Sequence, residues 1–145
     1  MQSGLWDVMT GQVLPPLQGS ADADNYAISE NGRVAAGVGR DGSLDDVHVW
    51  NTATGKQLRQ WTFPALSGAA IFLSDDGKLL AVGQDSTRFP RSPKILLWRT
   101  DANTNVPLAQ LSYPLGNILW LSFRRDDRRL YAVTTTGRLF VWGRR

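Results

Sequence analysis

The sequence predicts an all-β chain built from repeated four-stranded antiparallel units. Three observations carry this. Tryptophans stand at Trp6, Trp50, Trp98 and Trp142, spacings of 44, 48 and 44 residues, and a period between about 20 and 50 residues marks a propeller or a solenoid. β-Branched and aromatic runs of about four to seven residues recur roughly every ten, while no stretch of about ten residues keeps apolar positions at i, i+3 and i+4 without a turn signal. Polar turns follow the runs at matching places in each period.

The elements follow in order. Residues 5–8 form a strand holding Trp6-Asp7, followed by a turn at Met9-Thr10-Gly11 and an outer strand near 12–17. The first full unit has an inner strand at 26–28, a hairpin at Ser29-Glu30-Asn31-Gly32 and a second strand from Val34. It continues with a third strand Val47-His48-Val49-Trp50, a turn Thr52-Ala53-Thr54-Gly55 and an outer strand at 56–62. Asn-Gly and Asp-Gly supply the positive φ that a tight hairpin demands, which singles out Gly32 and Gly77. The second unit repeats the order: 68–73, the turn Ser74-Asp75-Asp76-Gly77, 78–83, a long loop 84–93, 94–98, the turn Thr100-Asp101-Ala102-Asn103 and 106–113. The third has a strand at 119–123, a turn Arg125-Asp126-Asp127-Arg128-Arg129, a second strand holding Leu130-Tyr131-Ala132, and Leu139-Phe140-Val141-Trp142. In this alignment Arg128 takes the glycine place, so a different turn geometry is expected there. Trp61 and Trp120 lie outside the periodic set and are expected to pack between units, with exposed partner contact as the alternative.

These motifs in register resemble the WD40 repeat family of β-propellers over nearly the whole chain. Leu5-Trp6-Asp7-Val8-Met9-Thr10-Gly11-Gln12 is similar to the family's third strand with its Trp-Asp ending and Thr-Gly turn. Ser74-Asp75-Asp76-Gly77-Lys78-Leu79 is similar to its Ser-Pro-Asp-Gly hairpin. Trp-Asp survives only at Trp6-Asp7, with Asn51, Arg99 and Gly143 after the other tryptophans, and the family's Gly-His dipeptide is missing. The family's Asp–His–Ser–Trp hydrogen-bond network therefore cannot form as such. The resemblance implies an all-β fold of WD40-like blades, each a four-stranded antiparallel sheet. One domain, 1–145, holds about three repeats, 18–62, 63–112 and 113–145, preceded by the last strands of another at 4–17. In this reading Trp6, Asp7, Trp50, Trp98, Trp142, Gly32 and Gly77 are structural repeat positions.

A propeller closes with about four to eight blades of about 40–45 residues each. Just over three blades are expected here, so the chain is expected to be a piece of a larger propeller or to complete one with a second copy or another propeller chain. The resemblance implies a non-catalytic interaction scaffold that binds a protein or peptide partner.

Composition narrows the chemistry. With no cysteine and one histidine, disulfides, zinc fingers, iron–sulfur ligation, a thiol nucleophile and two-histidine metal sites are all excluded. No cofactor is expected. There is no apolar run of the ~18 residues needed to cross a bilayer as a helix and no signal-peptide pattern in this chain, and a cytoplasmic location is expected without a membrane partner. The net charge of +3 is lopsided: residues 124–145 carry seven arginines against Asp126 and Asp127. An alternative function is therefore nucleic-acid binding through the Arg-rich end, weighed against a solvated turn.

Enzyme chemistry has one candidate, His48 with Asp46 on the same strand face as a hydrolase acid–base pair. The same face carries Trp50, and Leu96 and Phe140 occupy the place of His48 in the other repeats, so a structural histidine is expected and no enzyme. Asp22, Asp24 and Asn25, or Asp41, Asp45 and Asp46, could offer oxygens to calcium, but Tyr26 and Ala27 break the spacing of a calcium loop. These read as turn carboxylates. The loop 84–93 is the insertion that stretches one spacing to 48. Its Arg88, Phe89 and Arg91 combine an apolar anchor with charged donors, the residue mix of interface hot spots, and form the candidate partner-binding group.

Overall fold

The computed structural model describes residues 4–19, 23–41, 44–63, 70–84, 93–113, 116–125 and 128–143. Eleven strands among them form three antiparallel sheets. The first has the order β1 (Ala23–Ile28), β2 (Val34–Asp41), β3 (Leu44–Asn51), β4 (Gln57–Phe63). The second follows with β5 (Ile71–Leu73), β6 (Leu79–Gly83), β7 (Lys94–Arg99) and β8 (Ala109–Ser112), and the third with β9 (Ile118–Phe123), β10 (Arg129–Thr134) and β11 (Leu139–Gly143). Each sheet is a meander in chain order, because every connection is a turn or loop that returns the chain antiparallel. Before them, Trp6 bridges to Val13 in a short antiparallel pair.

Period-two alternation gives each sheet two apolar faces, and stacking buries them in series. Val38, Val47, Val49 and Trp61 of the first sheet meet Ile71, Leu80, Val82, Leu96 and Trp98 of the second. Ala81, Ile95 and Tyr113 on the second sheet's other side meet Leu121, Phe123, Leu130 and Ala132 of the third, with Trp142 packed against them. Leu17, Ala35 and Trp50 close a smaller cluster with Leu5. Each periodic tryptophan of the three sheets thus faces what precedes it in the chain.

The hairpins show why the repeat recurs. Ser74 is buried; its hydroxyl donates to Asp76 Oδ1 at 2.8 Å and accepts from Leu79 N at 2.9 Å, while Lys78 N donates to the same Asp76 oxygen at 2.9 Å. Ser29 and Asn31 make the same set with Val34 N and Arg33 N. The turn after the tryptophan strand is equally shared: Asp7 Oδ1 accepts from Met9 N and Thr10 N, and Asn51 Oδ1 accepts from Ala53 N and Thr54 N. Asn51 therefore performs the turn-closing role of the aspartate it replaces.

The third hairpin corrects the sequence alignment. Arg124 N donates to Arg129 O as Ser29 N does to Val34 O and Ser74 N to Leu79 O, and Leu130 lies opposite Trp142 as Ala35 lies opposite Trp50 and Leu80 opposite Trp98. Arg124, not Arg125, stands in the serine place, and Arg128 corresponds to Arg33 and Lys78 rather than to the glycines. The outer strand of the second sheet is also shorter than the predicted 106–113, starting at Ala109 after Pro107, which has no N–H to pair.

Candidate interaction surfaces

Trp50 and Trp98 are fully buried, and each indole N–H has an acceptor: Gln18 O at 2.6 Å for Trp50 and Asn105 O at 3.1 Å for Trp98. Trp142 is half-buried, whereas Trp6 is 61% exposed and does not fill a core. The two tryptophans outside the period part company. Trp61 is buried against Trp98, ring centroids 5.5 Å apart, as expected of packing between units, but Trp120 is 47% exposed and has no unit of this chain against it among the described residues. Its register explains this: Trp120 lies opposite Val133 on the face of the third sheet turned away from the second.

That outward face is apolar. Trp120, Val133 and Leu139 lie side by side across the three strands, with Tyr131 and Val141 in the next row, and Leu139 and Val141 are 63% and 50% exposed. The corresponding inner faces of the other two sheets are buried. At the opposite end, Tyr26 and Ile28 of β1 are exposed beside Trp50, with Tyr26 stacked on it at 6.1 Å.

His48 is buried and lies flat on Trp50, the rings 5° from parallel with centroids 5.4 Å apart. Its Nδ1 is 2.9 Å from Gln57 Oε1. A bulge between Val49 and Trp50 brings Gln57 into that position. The imidazole is thereby a packed wall element with an amide partner, and the bond that orients it goes to Gln57 rather than to Asp46. Asp45 and Asp46, consecutive on β3, project to opposite faces and cannot chelate one ion together from that strand. Asp22 lies outside the described residues.

Arg124, Arg125, Arg128 and Arg129 are all exposed around the β9–β10 connection, and Arg125 reaches Glu30 at 3.8 Å. Arg88, Phe89 and Arg91 lie outside the described residues. The base of their loop is described: Gln84 N donates to Lys94 O at 2.8 Å, and the buried Tyr113 hydroxyl donates to Gln84 O at 3.2 Å.

One further surface is a groove of about 430 Å³ between β4 and the loop that follows β7, lined by Arg59, Trp61, Asn103 and Asn105 among others. Arg59 Nη1 donates across it to Asn103 Oδ1 at 3.0 Å. Sequence reasoning missed it because its two walls are 44 residues apart in the chain.

No family model matches the chain, and no curated protein does. Solved structures do match. A complex of KlAtg21 with the coiled-coil of AgAtg16 superposes with a TM-score of 0.73 at 18% identity, covering 98% of this chain and 46% of that one. The Dos1 propeller superposes at 0.72 and 14% identity, covering 97% and 35%. Hydrazine synthase of Kuenenia stuttgartiensis superposes at 0.68 and 15% identity, covering 97% and 45%. The chain thus spans less than half the length of each. The fold is that of β-propeller blades.

Proposed function

We propose that the chain is a non-catalytic scaffold of propeller blades, WD40-like in their repeats, that holds protein partners. Fold alone does not decide function, and one of the structural neighbours is an enzyme. The observation that carries the reading is the apolar outward face of the third sheet, Trp120, Leu139 and Val141, which matches in character the faces buried between the sheets. Exposed apolar patches of this kind mark association surfaces. The next blade of a larger propeller covers that face, supplied by a further part of a longer chain, by a second copy of this one or by another propeller chain. The loop carrying Arg88, Phe89 and Arg91, on its pinned base, is a further contact for a partner. The neighbour KlAtg21, seen with a coiled-coil of AgAtg16, is a propeller in a protein complex and supports the reading by analogy.

Light scattering at tens of micromolar tests this. A mass above that of the monomer is expected, falling when Leu139 and Val141 are both replaced by serine. A monodisperse monomer that binds no apolar dye overturns the proposal.

A further inference from the structure

We propose that the groove between β4 and the loop after β7 binds a carboxylate side chain presented by an extended, acidic segment of a protein partner. The proposal rests on the scaffold reading above and names the chemistry of one partner. Three features of the groove converge on an anionic acceptor.

First, the indole N–H of Trp61 is buried and has no acceptor among the described residues, while Trp61 itself is only 6% exposed. Buried N–H groups are nearly always paired, and Trp61 lines the groove, so a small turn of its ring that opens Nε1 to the groove offers this donor to an arriving acceptor. The contrast with Trp50 and Trp98, both bonded to backbone carbonyls, is internal to the molecule. Second, Arg59 lies on the same face of β4 two residues away, and its bonded partner among the described residues is the neutral amide of Asn103. A guanidinium bonds a carboxylate more strongly than an amide, so an entering carboxylate displaces Asn103 from Arg59. Third, no acidic residue lines the groove among the described residues, and the Asn103 and Asn105 amides add donors to it.

The walls are held in place without the ligand. Trp98 Nε1 fixes the Asn105 carbonyl, Leu108 N bonds to Leu97 O at 2.6 Å, and the Trp61 ring leans on Trp98. A carboxylate entering between them takes the Arg59 guanidinium and, as the Trp61 ring turns toward it, supplies the acceptor that Trp61 lacks. The remainder of the segment lies along β4, the edge strand of its sheet.

The test uses the full chain, ¹⁵N-labelled, and a six-residue probe peptide with glutamates at alternate positions, against the same peptide with glutamines. With the glutamate peptide the Trp61 indole N–H resonance, assigned by its loss in Trp61→Phe, moves downfield while those of Trp50 and Trp98 stay. Arg59→Gln weakens the peptide by about tenfold or more, as loss of a charged hydrogen-bond partner does. Asn103→Asp, an exposed change that removes no packing, fills the site from within and weakens the peptide similarly. Arg129→Gln, an exposed arginine elsewhere, leaves binding unchanged. Equal response to both peptides, an unmoved Trp61 resonance, or wild-type affinity in Arg59→Gln and Asn103→Asp overturns the groove. A persistent oligomer with no peptide response overturns the groove alone and leaves the scaffold reading standing.

Discussion

Two glycines with the same backbone conformation do different work. Gly32 and Gly77 both sit at positive φ, 70° and 75°, in equivalent hairpins. A Cβ at Gly32 meets nothing within 4 Å, whereas one at Gly77 falls 2.6 Å from Val34 Cγ2 of the preceding sheet. Gly32→Ala therefore costs only the left-handed strain, about 1–2 kcal/mol. Gly77→Ala adds overpacking, typically about 1–3 kcal/mol more. Urea unfolding of the two variants measures the gap, and Gly77→Ala combined with Val34→Ala is expected to be less destabilised than the sum, since the two sites touch. Equal losses in the two glycine variants count against the contact.

At the scale of elements, the tryptophan strands are the beams between sheets. Trp98 on β7 is fully buried in the cluster joining the first two sheets and bonds Asn105 O, so Trp98→Ala is expected to cost about 3–5 kcal/mol. Trp6, exposed on its short bridged pair, carries little of this load, and Trp6→Ala is expected to cost less than about 1 kcal/mol. Thermal or urea unfolding compares them. The tryptophan strands are also tied to the inner hairpins: Thr52 Oγ1 donates to Gly32 O and Thr100 Oγ1 to Gly77 O. The threonine two residues past Trp50 and past Trp98 is the sequence signal for this tie.

For the molecule as a whole, acid is the informative perturbation. The Lys78 backbone N–H, against an opposing effect of burial and with help from the Ser74 hydroxyl, holds the Asp76 carboxyl below its ordinary value of 3.8. The hydrogen bond from Arg99 does the same for Asp101, but that pair is exposed and screened, so Asp76 matters more. A carboxyl depressed on folding stabilises fully above its unfolded value and loses that contribution as pH falls through the folded one. Melting temperature is thus expected to decline below pH 3.8, and Asp76→Asn to decline less while matching the wild type near neutrality. Asn31 already makes the equivalent bonds in the first sheet, which is why the substitution is tolerated. Identical acid limbs in the two proteins refute this role for Asp76.

The strand phase, the first two hairpins and the propeller class were legible in the sequence, because side-chain alternation and the left-handed demand of a tight turn are properties of a few consecutive residues. Gly32, Gly77 and the spacing of the tryptophans carry that information locally. Which tryptophan is buried was not legible: Trp61 and Trp120 look alike in the chain, and only the stacking of sheets puts one inside and leaves the other on an open face. The register of the third hairpin depended on the pairing of Leu130 with Trp142, and the partner of His48 on a bulge that carries Gln57 across. The groove at Arg59 and Trp61 exists only because a distant loop faces β4. Local geometry is written in sequence neighbours, whereas burial and recognition belong to neighbours in space, and those are settled only when the sheets pack.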